Sequence, residues 1–366
     1  MRIKSLLLAS TMGFSALFAD DGQGMDQTQN SQGKLCPNYG KNRIGSMYTD
    51  GYGPFVTGEF LYWTSQMDGL DYAFSIEQYS GKSENLSSRS EISRPDFEWD
   101  PALRVGLGYY FDWMDWAVEL EWTRLRSDTQ SSKTKADGYK MNSLWGRPSL
   151  SSTLDLQSMS TKWELSYDTL DLALRPGYFR YRYFAIQPEI GLRGAWVDWK
   201  YDVNSYYADQ ESTLVVKQNL KNDFHAVGLF ARANMKWFMG YGFHIYANAL
   251  ASALYGRFDI AMPSETLYNT THLSQSYHDC YWRVRSNVHF AIGLEWERFF
   301  MNHGMRLNIH AGYEFLNWFN QNQLQRLRVI TFSTGNDNPS SGEVYPSIER
   351  DDLSISGLTV GAGLEF

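Results

Sequence analysis

The chain has 366 residues, with 33 Lys and Arg against 41 Asp and Glu, and its formal charge of -8 comes without any basic cluster. Phosphate binding requires a basic face, so nucleic acid is not an expected partner. Mean hydropathy is -0.44, and beyond the N-terminus no apolar run approaches the ~18 residues of a membrane helix, so insertion into a membrane would have to be as a β-barrel.

The first residues read as a secretory signal. Arg2 and Lys4 precede an apolar core from Leu6 to Phe18, and the small Ala19 stands before a cut ahead of Asp20. Residues 20–52, rich in Gly, Gln, Asn and Asp without periodicity, read as a flexible periplasmic leader too short for a plug domain. The barrel is expected over 53–366. Its first strand runs from Phe55 to Trp63, where Leu61 and Trp63 break the alternation of Val56, Phe60 and Tyr62 with Thr57 and Glu59. A Ser-rich loop over 66–96 follows, with strand-like content near 72–76. Then Leu103, Val105, Leu107 and Tyr109 alternate with Arg104, Gly106 and Gly108, turn at 112–115, and return as Trp116, Val118, Leu120 and Trp122 against Glu119 and Glu121.

A long Ser/Thr/Lys loop is expected over 127–158. After it, Trp163, Leu165 and Tyr167 stand opposite Lys162 and Glu164, and the apolar parity then moves to Leu170, Leu172 and Leu174. A bulge near Asp168 and Thr169 would account for the flip. Past Arg175, Pro176 and Gly177, Phe184, Ile186, Ile190 and Leu192 oppose Gln187, Glu189 and Arg193; another parity change follows Gly194. From Phe224 to Trp237, Val227, Leu229, Ala231, Ala233 and Met235 face away from Arg232, Asn234 and Lys236. A turn at 239–242 returns Phe243, Ile245, Ala247, Ala249 and Ala251 against His244, Asn248 and Ser252.

The cleanest stretch is 282–318. Trp282, Val284, Val288, Phe290, Ile292, Leu294 and Trp296 share one parity, while Arg283, Arg285, Asn287, His289, Glu295 and Glu297 hold the other. Beyond 299–304, Met305, Leu307, Ile309, Ala311, Tyr313 and Phe315 alternate with Arg306, Asn308, His310 and Glu314. Strict period-two alternation gives two chemically distinct faces, and each arm exceeds the ~9–11 residues that cross a bilayer. A loop over 320–350 leads to a last strand with Leu358, Val360, Ala362, Leu364 and a terminal Phe366, an aromatic end that matches the assembly signal of bacterial outer-membrane barrels.

Short turns near 112–115, 175–178, 239–242 and 300–304 alternate with loops near 66–96, 127–158, 202–214, 263–275 and 320–350. This is the pattern of short periplasmic turns and long extracellular loops. The expected fold is therefore all-β: a single transmembrane antiparallel β-barrel of about ten strands, or about twelve if 66–80 or 324–334 contribute strands of their own. Cys36 would lie on the periplasmic side and Cys280 near the opposite rim, which argues against a bond within one chain.

Several stretches resemble the Legionella-type major outer-membrane protein family of pore-forming barrels, also found among chlamydia-like bacteria. They are Glu59-Phe60-Leu61-Tyr62-Trp63 with Asp68-Gly69-Leu70, Gly191-Leu192-Arg193-Gly194-Ala195, and Asn222-Asp223-Phe224 leading to Leu254-Tyr255-Gly256-Arg257-Phe258. Ala311-Gly312-Tyr313-Glu314-Phe315 with Trp318-Phe319-Asn320-Gln321-Asn322-Gln323 and the closing Leu353-Ser354-Ile355-Ser356-Gly357-Leu358-Thr359 complete the set. The resemblance implies an outer-membrane pore.

If apolar parity marks lipid, the lumen is lined by Arg104, Glu119, Glu121, Lys162, Glu164, Glu189, Arg193, Arg232, Lys236, His244, Arg283, Arg285, His289, Glu295, Arg306, His310 and Glu314, with Glu59, Asp171, Arg175, Glu297 and Glu365 on the same side. Such charges either line a weakly selective aqueous passage or pair across a narrow lumen and fill it. The functions these imply are a porin for passive diffusion of small hydrophilic solutes and ions, or a closed surface barrel that acts through its loops as an adhesin or structural protein. No G-x-S-x-G, H-E-x-x-H or cysteine–histidine signature is present, so neither an enzyme nor a cofactor is expected. His272 and His278, near one loop, are the one pair that suggests a metal test. Expected partners are outer-membrane lipid and lipopolysaccharide and the barrel assembly machinery; a homo-oligomer is compatible with the sequence.

Overall fold

The structure, a computed structural model, describes residues 53–77, 89–111, 116–145, 155–181, 183–208, 213–268, 271–300, 305–331, 342–348 and 351–366. The expected signal and leader, Cys36, and the turns at 112–115 and 301–304 lie outside the described residues.

Sixteen strands occur among the described residues. They are β1 (Gly53–Met67), β2 (Ala73–Glu77), β3 (Ser90–Ser93), β4 (Trp99–Phe111), β5 (Trp116–Thr134), β6 (Tyr139–Ser143), β7 (Asp155–Pro176) and β8 (Phe179–Tyr181), then β9 (Phe184–Ala208), β10 (Thr213–Gly240), β11 (Phe243–Tyr268), β12 (Thr271–Phe300), β13 (Met305–Asn322), β14 (Gln325–Thr331), β15 (Gly342–Ile348) and β16 (Asp351–Glu365). Ten of them close a ring of antiparallel pairs in the order β1, β4, β5, β7, β9, β10, β11, β12, β13, β16 and back to β1, and β8 adds a short ribbon to β9. The ring matches the ten strands that the alternation predicts. β2, β3 and β6 form a small separate sheet, and β14 pairs with β15 alone. Closing the ring pairs each strand with a neighbour on both sides, on β12 from Asn287 to Trp296, as hydrocarbon requires of backbone at membrane depth.

The wall has three levels along its strands. In the membrane band, side chains such as Phe290, Ile292 and Leu294 on β12 are exposed on the outside, while Asn287 and Glu295 are buried on the inside. Aromatic rows edge the band. Tyr62, Trp99, Trp122, Trp196, Tyr255 and Trp282 mark the extracellular border, with Tyr62 stacked on Trp99 and Tyr255 on Trp282. Tyr109, Trp237 and Phe243 mark the periplasmic one. The turn at 239–242 is tight because Gly240, Tyr241 and Gly242 all adopt positive φ, at 105°, 55° and 85°.

Above the extracellular aromatic row the polarity of the wall inverts. On β9 the inward Ala195, Val197, Trp199, Tyr201 and Val203 are almost wholly buried, while Asp198, Lys200 and Asp202 occupy the outer face. The same holds on β7, where Trp163, Leu165 and Tyr167 point in with Thr169 and Asp171. This corrects the expected bulge near Asp168 and Thr169: β7 pairs with β9 without interruption from Ser158 to Leu174. The apolar parity flips because the strand leaves lipid for water, where a wall buries its apolar face inward as any soluble sheet does.

The inversion also explains the loop boundaries. Residues 127–158 are not one loop, because β5 continues to Thr134 and β7 starts at Asp155; the loops expected at 202–214 and 263–275 are mostly the ends of β9, β10, β11 and β12. Ser/Thr-rich strands in water lack the lipid-facing pattern that marked the others.

Outward Ile292→Arg places a charge in the lipid band and should cost ~2–4 kcal/mol. Val197→Arg, on the inner face above the band, should also destabilise, whereas outward Asp198→Asn should be tolerated. Urea unfolding in lipid vesicles reads all three, and a tolerant Val197→Arg would show that the inner face is not apolar there.

Candidate functional site

The strand register builds the lumen by setting opposite charges directly across from one another. Glu59 of β1 faces Arg104 of β4, Asp171 of β7 faces Arg193 of β9, Glu189 of β9 faces Arg232 of β10, and Arg306 of β13 faces Glu365 of β16. Each pair is a closed ion pair: Arg104 Nη1 to Glu59 Oε2 is 2.5 Å, Arg193 Nε to Asp171 Oδ1 is 2.7 Å, Arg232 Nη1 to Glu189 Oε2 is 3.4 Å and Arg306 Nε to Glu365 Oε2 is 2.9 Å. Cross-strand opposite charges stabilise the sheet, and burial magnifies both their attraction and the cost of separating them.

Other bonds join strands two or three places apart in the ring as chords, or run diagonally between neighbours. Arg104 Nη2 donates to Glu314 Oε2 of β13 at 2.8 Å, and His289 Nε2 meets the same oxygen at 2.9 Å. Arg232 Nη2 donates to Glu121 Oε1 of β5 at 2.9 Å. Toward the periplasm, Lys236 Nζ lies 3.0 Å from Glu295 Oε1 and 3.9 Å from Glu297 Oε2, Arg306 Nη1 lies 3.3 Å from Glu297, and Arg175 pairs with Glu119. His310 Nε2 reaches Glu59 Oε1 at 3.2 Å over Gly361, where a Cβ would strike both side chains. Between these chords lies a polar cavity of about 150 Å³ whose walls include Thr57, Glu121, Arg232, Asn248 and His310. It has room for on the order of ten waters.

At the extracellular level the lumen is closed by apolar packing. Trp63, Trp163, Trp199, Trp318, Phe224 and Phe258 are buried together with Leu70, Tyr72 and Trp145 from the segments above the rim. Tyr201 Oη donates to the carbonyl of Leu70 at 2.7 Å, and Trp145 Nε1 to that of Asp71 at 2.7 Å, which seats those segments on the wall. Residues 321–324 are buried at this level too.

Of the lumen residues read from sequence, Arg104, Glu119, Glu121, Glu189, Arg193, Arg232, Lys236, His244, His289, Glu295, Arg306, His310 and Glu314 come together in these networks, as do Glu59, Asp171, Arg175, Glu297 and Glu365. Arg285 is buried beside them, over the ring of Phe258 at 4.9 Å. Lys162 and Glu164 are corrections. They sit on the outer face above the band, bonded to each other at 2.5 Å, because the parity of β7 was assigned from its water-exposed end. Arg283, opposite Gly256, is also a correction: it is exposed and lies over the Tyr281 ring at 5.2 Å, on the stretch of β12 that β13 does not pair. Sequence reading missed the apolar cap altogether. Its signal was the change of apolar parity beyond Trp122 and Trp196.

His272 and His278 are six residues apart along β12, roughly 20 Å, too far to share an ion. His278 instead pairs with Asp259 at 2.8 Å. His244, Glu295 and Glu297 bring ligand atoms within 4.8 Å of one another, but Lys236 and Arg306 already neutralise both carboxylates. This donor set suits a salt-bridge network better than a cation.

Glu314→Gln weakens the acceptor side of a buried pair and should cost ~3 kcal/mol, as removal of one partner of such pairs does. Arg104→Met with Glu314→Met should cost less than the two single Met changes together, with Glu59 keeping its bond to His310. A double-mutant cycle on unfolding midpoints measures the coupling, and additive effects would show that the chord is not formed.

The fold and lumen can be set against known proteins. The family model described as the Legionella pneumophila major outer membrane protein precursor matches residues 53–366. Among curated proteins none matches. Solved structures with a similar course include the outer membrane protease OmpT of Escherichia coli (8% identity, 86% of this chain and 96% of that one, TM-score 0.34). A Pseudomonas aeruginosa FadL homologue (9%, 87% and 90%, TM-score 0.24) and the Pseudomonas putida toluene transporter TodX (7%, 86% and 89%, TM-score 0.22) are further ones. A ten-stranded wall with an outward apolar band, matched by this family over its whole described extent, identifies an outer-membrane β-barrel, and the chain belongs to the Legionella major outer membrane protein family.

Proposed function

We propose that the barrel is a porin of low conductance, through which small ions and hydrophilic solutes pass along the charged lumen when the extracellular cap opens. One observation carries this reading. In the membrane band the inward face is mostly polar, with Phe55, Phe230 and Leu250 set among the charges, and it encloses a cavity of about 150 Å³ lined by fixed charges of both signs. Rings of fixed charge set ion preference, and paired charges of both signs support weak selectivity. Transport would be passive, with no nucleotide, cofactor or catalytic step. In this reading the chain is exported through a signal cut before Asp20, inserted by the barrel assembly machinery and surrounded by lipid and lipopolysaccharide.

A second reading is a permanently closed surface barrel serving as an adhesin or structural protein. The buried apolar packing of Trp63, Trp163, Trp199 and Trp318 at the extracellular level favours it. Single-channel recording in a planar bilayer separates the two. Under the porin reading the wild type gives small, infrequent steps, and Trp63→Ala with Trp318→Ala raises their frequency or size severalfold. Silence from both proteins, each shown to be folded by heat-modifiable gel migration, would overturn it and leave the closed barrel.

A further inference from the structure

The wall of the barrel has a gap in its pairing. β12 is bonded to β11 from Thr271 opposite Tyr268 to Trp296 opposite Phe243. To β13 it is bonded only from Asn287, opposite Trp318, to Phe300, opposite Met305. Among the described residues no strand pairs with the other edge of 271–286, and nearly all of 272–284 is exposed. This edge carries no Pro, and its charges, Asp279, Arg283 and Arg285, are confined to its lower part, so 271–278 is without either means of blunting such a template.

β13 leaves β12 where a single residue turns it. Asn320 adopts a left-handed φ of 53°, its N–H donates to Asp352 Oδ1 at 2.7 Å, and the register of β13 against β16 shifts between Trp318 and Asn322. The chain then enters the lumen. The carbonyl of Gln321 accepts from Asn222 Nδ2 of β10 at 3.1 Å, Asn322 Nδ2 donates to the carbonyl of Asp68 at 2.9 Å, and Gln323 Oε1 accepts from Tyr281 Oη at 2.8 Å. The side-chain amide of Gln321 is fully buried with neither atom hydrogen-bonded among the described residues. A buried unpaired amide is costly, so this seat in the cap is held at a loss.

Resting on the porin reading, we infer that residues 320–324 are its gate, exchanging between the lumen and the open edge of β12. In the second seat β13 straightens at Asn320 and runs on along β12, and the β14–β15 hairpin adds to the edge of 271–286. The occupant follows from the connectivity. β13 already runs antiparallel to β12, and β14 is its continuation after two residues, beginning just beyond the level where the edge opens. Continuing the existing register places Gln325 opposite Cys280 and Thr331 opposite Ser274. The move withdraws Gln321 and Leu324 from the cap, and the backbone bonds gained along β12 offset those lost with Asn222 and Asp68.

Cys280 is an exposed free thiol and serves as the probe. With Cys36→Ser and Gln325→Cys, mild oxidation of the refolded protein in vesicles should form a Cys280 bond to position 325 within one chain, read by peptide mass. It should form at least tenfold faster than the out-of-register bond of a Cys36→Ser, Cys280→Ser, Ser274→Cys, Gln325→Cys variant. Equal rates, or bonding only between Cys280 residues of two copies, would overturn the exchange. The oxidised protein should also conduct severalfold more often than the reduced one. If it does not, while Trp63→Ala with Trp318→Ala conducts, the gate is overturned. If neither conducts, the porin reading fails, and the rate of the in-register bond still decides whether the exchange occurs.

Discussion

Backbone pairing around a closed ring is the constraint on which everything else in this protein depends. Once ten strands are hydrogen-bonded in register, every side chain is assigned to one side of the wall, and alternation leaves no freedom to change sides without a bulge. The surroundings then decide what each side must be. In the membrane band, lipid outside demands apolar residues and leaves the polar ones to the lumen; above it, water outside accepts charge and the apolar residues turn inward. β9 passes through both regimes in one unbroken strand: Arg193 is buried among charges, and Val197 and Trp199, four and six residues on, are buried among aromatics.

That inversion accounts for what was legible in the sequence and what was not. In 282–315 the strands lie largely in the band, so period-two alternation gave the strands and their faces and set the charges on the lumen side, with the exposed Arg283 as the exception. The tight connections that lie among the described residues and the ten-strand count followed from the same signal. Lys162 and Glu164 were misassigned because one rule, apolar means lipid, was applied to a strand end that stands in water. The apparent bulge at Asp168 and Thr169 had the same origin. No period distinguishes the two regimes, since both alternate; only the aromatic rows at Trp122 and Trp196 mark where one gives way to the other. The chords of the lumen were illegible for another reason. Arg104 and Glu314 are 210 positions apart, and their meeting depends on which strands face each other across the ring.

The lumen charges are numerous because the inside of such a wall is filled from both directions at once. A ring of ten strands lies close to the ~8 whose interiors side chains fill. Arg232 touches Glu121, Glu189 and Asp171 together, so each charge is shared rather than matched one to one. Sharing satisfies several lone pairs with one guanidinium, which suits the rigid fork of Arg better than the point charge of Lys. Tyr246 shows how little space remains: its ring lies against the cross-strand Gly293 and Gly312, where any Cβ would collide with it.

A filled lumen and an unpaired edge are connected features. The wall from 271 to 286 is one strand short because β13 has been diverted inward, and the cap is complete because the same chain fills it. The two defects therefore have opposite remedies. Keeping 320–324 inside closes the lumen but leaves a backbone edge open to water and the Gln321 amide unpaired; moving it out completes the wall but opens the cap. Water solvates an exposed edge at modest cost, whereas a vacated apolar cap loses packing, so the closed seat is the resting one. The imbalance is limited, because the cap loses only Leu324 of its apolar members while its tryptophans stay on the wall. A segment placed between two incomplete structures, each of which it can complete, is how a β-barrel without hinged domains can hold two states.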